Sequence, residues 1–122
     1  LRTRALMHSD PHTWAAVLNW CADVTGEFLR AQIEAGASAA QLFDSWIGSV
    51  SQRDYLRRVA PHSRRAFDHL RGLDVPKVHF GLGTDRILTE IKGLGVDAVG
   101  IDWRLPLDEA SERLGGDVPV QG

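Results

Sequence analysis

Four short apolar runs, around Leu42, Val78–Phe80, Val99–Ile101 and Val118–Val120, are separated by segments of helical character. That order leaves few folds open. Strands joined through helical crossovers lie parallel in one sheet, with right-handed connections. The leading run, Ala39-Ala40-Gln41-Leu42-Phe43-Asp44-Ser45-Trp46, shows the alternation of a strand. Ala40 and Leu42 are apolar, and Gln41, Phe43 and Ser45 take the opposite parity. In parallel α/β proteins the C-terminal ends of strands carry the chemistry, which draws attention to Asp44 and Ser45.

The intervening segments read as helices. Ser9 or Asp10 can accept an orphan helix amide, and Pro11 suits the first helical position. From there Trp14, Val17, Leu18, Cys21, Val24, Phe28 and Ile33 recur at three- and four-residue steps. This predicts one buried stripe, with the Cys21 thiol packed in it and Gly36 ending the helix. Ser51-Gln52-Arg53-Asp54 resembles a capping box. Tyr55, Leu56, Val59, Phe67 and Leu70 then carry a helical period that Pro61 should kink or divide. Strands are expected over Val75–Phe80, Val96–Ile101 and from Val118 to Gln121. Short helices through Ile87–Ile91 and Leu107–Leu114 connect them.

Parity assigns the faces. Leu42, Val78, Phe80, Val99, Ile101, Val118 and Val120 are expected to pack under helices. Gln41, Ser45, His79, Gly81, Gly100, Asp102 and Gln121 are expected opposite them. An open doubly wound sheet is apolar on both faces, because helices cover both. A polar, glycine-containing second face suits a barrel interior near its mouth. The expected fold is therefore α/β: a partial (β/α)8 barrel of about four parallel strands with connecting helices.

At 122 residues the chain holds at most one small domain. It opens on Leu1 and stops inside a strand-like run at Gly122, so residues 1–122 are expected to be a fragment of a single larger barrel domain. The net charge of −2 argues against a nucleic-acid footprint. The clustered Arg53, Arg57, Arg58, Arg64, Arg65 and Arg71 read as a solvated helix face. A single cysteine supports neither an internal disulfide nor a cysteine metal cluster. No apolar run approaches the ~20 residues that span a bilayer, and no secretory signal is visible. A cytoplasmic protein without membrane or nucleic-acid partners is expected.

Gly81-x-Gly83-Thr84 invites a phosphate-loop reading, but it lacks the third glycine of the dinucleotide fingerprint and the lysine of the triphosphate loop. A tight strand-to-helix turn is the better reading. His79 is a candidate acid, base or ligand, set against a hydrogen-bonded core histidine. Asp44 and Asp102 both end strands, and each reads as a catalytic carboxylate or as a partner for a cation such as Arg104. Ser45 has no Ser-His-Asp arrangement around it and is expected to offer a hydrogen bond.

Larger motifs go further. Ala35-Gly36-Ala37 through Gln41-Leu42-Phe43-Asp44-Ser45-Trp46, followed by Ser51-x-x-Asp54-Tyr55, resembles the bacterial type of uroporphyrinogen decarboxylase. So do Val78-His79-Phe80-Gly81, Val99-Gly100-Ile101-Asp102-Trp103-Arg104 and Val118-Pro119-Val120-Gln121-Gly122, in the family's order and spacing.

The resemblance implies a (β/α)8 barrel of which this chain supplies roughly strands four to seven. It implies removal of the four acetate carboxyl groups of uroporphyrinogen III, giving coproporphyrinogen III in haem biosynthesis. No metal or organic cofactor is implied, and the full-length protein is expected to be a homodimer. Ser45 corresponds to the family's substrate-contacting serine. The family's arginine pair, aspartate, tyrosine and late histidine fall outside Leu1–Gly122, so no catalytic residue is expected within the chain, and the chain alone is expected to be inactive. His79 and Asp102 are candidate pocket-lining residues. Such a decarboxylation needs a protonated ring as electron sink, a carboxylate near the developing positive charge and cations for the remaining carboxylates.

Two alternatives stand beside this reading. Zinc-dependent methyltransferases of the same superfamily resemble a His-x-Cys pattern where this chain has His79-Phe80-Gly81, with glycine at the cysteine position. A non-enzymatic binding module built from a partial barrel is the other.

Overall fold

The computed structural model describes residues 2–122. The chain runs α1 (Arg2–Ser9), α2 (Pro11–Glu34), β1 (Ala40–Asp44), a 3-10 turn (Ile47–Ser49), α3 (Gln52–Arg58) and α4 (Ala60–Asp68). It continues as β2 (Lys77–Gly81), α5 (Leu88–Lys92), β3 (Ala98–Gly100), α6 (Leu107–Arg113) and β4 (Val120–Gln121). The strands form one sheet in the order β1-β2-β3-β4, and every neighbouring pair is parallel. This is the pattern of part of a (β/α)8 barrel, as the strand–helix alternation predicts.

Local chemistry sets the boundaries. The Asp10 carboxylate accepts the Thr13 amide at 3.0 Å, so Asp10 and not Ser9 caps α2, with Pro11 at its start. Gly36 leaves the helix at φ 112°, a left-handed conformation that favours glycine. Ser51 Oγ accepts the Asp54 amide at 3.1 Å and caps α3. Pro61 divides the crossover as expected: Val59, at φ −127° and ψ −54°, ends α3 and begins α4.

Three features depart from the sequence reading. Helix α1 has no signature in its RTRALMHS sequence, where Ala5, Leu6 and Met7 are contiguous and set no period. It is held by burial of Met7 and by Arg58, whose guanidinium donates to the Met7 carbonyl at 2.6 Å. That contact also shows that the arginine cluster is more than a solvated face. Arg65 bridges to Asp23 on α2, and Arg64 donates to the Gly93 carbonyl at 2.7 Å.

The second correction concerns α2. Its buried residues are Ala22, Gly26 and Leu29, which face α4. Val17, Trp20, Val24 and Phe28 are exposed, and so is Cys21, which is not packed in a stripe. Small residues let the two helices approach closely. A Cβ on Gly26 would lie 2.7 Å from the Ala66 carbonyl oxygen and 2.5 Å from His69 Cδ2.

The third concerns β2. Register pairs Leu42 with His79 and Phe43 with Phe80, and then His79 with Val99 and Phe80 with Gly100. Lateral neighbours in a sheet share a face. His79 therefore lies under the helices with Leu42, Val99 and Val120, and Phe80 and Val78 lie on the opposite face with Gln41, Phe43 and Gly100. The hydrophobic core confirms the helix-covered side, since it gathers Ala40, Tyr55, Phe67, Leu88, Val99 and Ile101. Assignments for Leu42, Val99, Ile101, Val120, Gln41, Gly100 and Gln121 agree with the sequence parity; those for Val78, His79, Phe80 and Gly81 are reversed.

Candidate functional site

The face away from the helices carries an aromatic pair. Phe43 and Phe80 are lateral partners, with ring centroids 4.5 Å apart and planes tilted by 31°. Gly100 completes the row, because a Cβ there would lie 2.8 Å from Phe80 Cδ2. Phe43 is 63% exposed, an open apolar surface at the level of the strand ends. Ser45 follows β1 immediately, carries the parity of Phe43, and is half-buried in the turn that leaves the strand.

Loops leaving β1, β2 and β3 are stitched together beside it. The Gly48 amide donates to the Leu82 carbonyl at 3.2 Å. The Gly83 amide donates to Asp102 Oδ2 at 2.6 Å, and the Thr84 hydroxyl donates to the Gly81 carbonyl at 3.3 Å. Gly83 is at φ 66°. The Gly81-x-Gly83-Thr84 stretch is thus a tight turn whose Gly83 amide is committed to a carboxylate.

Asp102 has the parity of Gly100, and its side chain is 5% exposed. Its Oδ1 accepts the Arg104 amide at 2.9 Å, and its Oδ2 also takes the Arg104 guanidinium. That guanidinium stacks over Trp103, 4.7 Å from the ring centroid. Burial alone would push the Asp102 carboxyl up. The Arg104 and Gly83 amides and the Arg104 charge outweigh it and hold the group below the usual carboxylate range. The sequence reading of Asp102 as partner to Arg104 matches this geometry.

His79 is not brought to this face. It is fully buried in the core layer, and neither ring nitrogen finds a hydrogen-bond partner among the described residues. Its nearest acid is Asp44, with Nε2 3.8 Å from Oδ2. The expected pocket-lining role therefore fails on position, although the histidine stays close to the end of β1. Asp44 itself borders a 590 Å³ cavity beside that strand end, with Arg4, Trp14, Trp46 and Ile47.

Two features are absent from the sequence reading: the facing of Phe80 and the unpartnered hydroxyl of Tyr55. Phe80 was assigned to the wrong face, and no marker in Val78-His79-Phe80 distinguishes the two parities. Tyr55 is fully buried, and its hydroxyl has no hydrogen-bond partner among the described residues. Burial, with the charges of Asp44 and Glu90 beside it, pushes that hydroxyl well above the usual tyrosine range.

Glycine at position 81 also has a structural reason. A Cβ there would lie 2.7 Å from Ile47 Cγ2 and 2.7 Å from Thr84 Cγ2, so the His-x-Cys pattern of the methyltransferase alternative does not fit without displacement. Among the described residues no helix is long and apolar enough to cross a membrane.

The sequence matches the family model described as "Uroporphyrinogen decarboxylase (URO-D)" over residues 1–122. It is 61% identical over 122 residues to a uroporphyrinogen decarboxylase of Arthrobacter sp. (strain FB24), covering 100% of this chain and 35% of that protein. It is 52% identical over 138 residues to one of Leifsonia xyli subsp. xyli (strain CTCB07), covering 100% of this chain and 37% of that protein. Against one of Streptomyces coelicolor the identity is 52% over 120 residues, covering 98% and 34%. The chain spans about a third of the length of these curated relatives. Similarity of this order along residues 1–122, on a parallel strand–helix scaffold, means that the chain belongs to the uroporphyrinogen decarboxylase family.

Proposed function

We propose that the chain is part of a uroporphyrinogen decarboxylase, the carboxy-lyase that converts uroporphyrinogen III to coproporphyrinogen III in haem biosynthesis by removing four acetate carboxyl groups. The observation that carries this reading is the match along the whole chain, at 61% identity to the Arthrobacter relative.

In this reading Ser45 binds substrate. A hydroxyl at the C-terminal end of a parallel strand donates to one substrate carboxylate, a charged hydrogen bond whose loss costs about 1–3 kcal/mol. Phe43 and Phe80 offer an apolar surface to the flat pyrrole rings beside it. Asp102 lines the rim and holds Arg104 and the Gly83 loop in place. The groups that move protons and neutralise the remaining carboxylates are supplied by other parts of the full-length protein. That protein works as a cytoplasmic homodimer, an inference supported by the family resemblance.

Purified full-length protein is expected to convert uroporphyrinogen III to coproporphyrinogen III without added metal or organic cofactor, followed by chromatography of the oxidised porphyrins. The polypeptide of residues 1–122 is expected to show no turnover. Full-length protein that folds and leaves uroporphyrinogen III untouched would falsify the assignment.

A further inference from the structure

We infer that His79, acting through Asp44, is a positioning residue for Ser45. The inference rests on the reading of Ser45 as a substrate-binding residue.

Three observations meet at the end of β1. First, His79 is fully buried with both ring nitrogens unpartnered among the described residues. Buried polar groups are nearly always satisfied, and leaving one unmade is costly. Second, the nearest acid is the Asp44 carboxylate, 3.8 Å from Nε2. That separation lies outside hydrogen-bond reach, yet no other acid approaches the ring within 4 Å among the described residues. Register sets the approach: Leu42 lies beside His79 and Asp44 beside Gly81. The Asp44 side chain therefore meets His79 on the diagonal, with no side chain at position 81 to intervene. Third, the Tyr55 hydroxyl is also buried and unpartnered among the described residues, and it lies within the influence of the Asp44 charge.

Successive residues of an extended chain project to opposite faces of a sheet. Asp44 reaches down into the helix-covered layer, and Ser45, next in sequence, carries the parity of the open face. A carboxylate tethered below fixes the peptide plane between them, and with it the direction of the serine hydroxyl above. A merely packed histidine has no such reach, and the two roles separate in kinetics.

The test is a double-mutant comparison in the full-length protein, reading KM and kcat for uroporphyrinogen III. Ser45→Ala is expected to raise KM about tenfold, the loss of one charged hydrogen bond. His79→Leu is expected to raise KM about three- to tenfold in the presence of Ser45, with kcat changed much less. In the Ser45→Ala background the same substitution is expected to change KM less than about twofold, because there is no hydroxyl left to position. His79→Gln, which keeps a donor near Nε2, is expected to restore most of the KM.

An equal factor from His79→Leu in both backgrounds overturns the positioning role and leaves the Ser45 assignment standing. So does an unchanged KM when His79→Leu is made alone. An unchanged KM in Ser45→Ala removes the substrate-binding reading itself, and the positioning role with it. Should His79→Leu fail to fold, Asp44→Ala replaces it in the same comparison, with the same outcomes deciding.

Discussion

The main-chain amide of Gly83 donates to Asp102 Oδ2 at 2.6 Å, which ties the loop leaving β2 to the loop leaving β3. The same carboxylate holds the amide and guanidinium of Arg104, so one side chain organises two loops.

Asp102→Ala should therefore cost more than an ordinary surface change. The carboxylate is almost wholly buried, and its removal strands the Gly83 amide. A loss of about 2 kcal/mol is expected, with the half-exposed Arg104 contributing little of it. Chemical denaturation of the full-length protein gives the value. Asp102→Asn should fall between, since it keeps an acceptor, and a loss below about 0.5 kcal/mol for the alanine variant would show that the loops hold without it.

The α2–α4 contact predicts the sign of a substitution that helix propensity alone gets wrong. Gly26→Ala gains about 1 kcal/mol in propensity. Its methyl group would also sit 2.7 Å from the Ala66 carbonyl oxygen, a main-chain atom that cannot swing aside. Overpacking of this kind costs about 1–3 kcal/mol. Lower thermal stability is expected, and a higher melting temperature would mean that the helices separate without penalty.

Acid sensitivity should centre on Asp23. The Arg65 guanidinium, and after it His69, bonds the Asp23 carboxylate and lowers its pKa from the ordinary 3.8 to about 2. A depressed carboxyl stabilises the folded state fully above its unfolded value. That contribution is then lost as pH falls through the folded value. Stability is expected to decline between about pH 4 and pH 2. Asp23→Asn should flatten that part of the profile while lowering stability at neutral pH; denaturation midpoints across the range are the measurement. Identical slopes in the two proteins would assign the acid loss to other groups.

A polypeptide of residues 1–122 should self-associate or melt broadly. Strands β1 and β4 end the sheet order, and unpaired strand edges present N–H and C=O groups to other chains. Phe43, Trp20 and Phe28 are exposed as well, and unburied apolar surface forgoes ~25 cal/mol per Å². Net domain stability is only about 5–15 kcal/mol. Sedimentation and calorimetry decide: a monodisperse monomer with one sharp transition would establish the four-stranded unit as a domain that stands alone.

The architecture was legible because it rests on punctuation. Pro11, Gly36, Ser51 and Pro61 mark helix starts, stops and breaks by local chemistry, and the structure places boundaries at each of them. Facing was legible only where one parity is polar. β1 shows it through Gln41 and β4 through Gln121, whereas Val78-His79-Phe80 has one polar residue, and it points into the core. A strand apolar on both faces carries no clean alternation, and its orientation comes from register with β1 and β3. The α2 stripe misled for a related reason. Counting large apolar residues selects Val17, Val24 and Phe28, while the contact with α4 is built on Ala22 and Gly26, which such a count ignores. The places of Ser45 and Asp102 just beyond the ends of β1 and β3 were readable from the strand pattern. The Asp44–His79 approach was not, because it depends on a diagonal across two strands.

The missing side chain at Gly100 makes that position a dial for the shape of the interior. Phe80 occupies the volume that a Cβ at position 100 would claim, and Phe80 in turn leans on Phe43 one strand further along. An added methyl group on β3 would thus be felt as a tilted ring on β1, two strands away and next to Ser45. Reshaping this interior for a bulkier or slimmer guest would begin at a residue that has no side chain of its own to offer the guest.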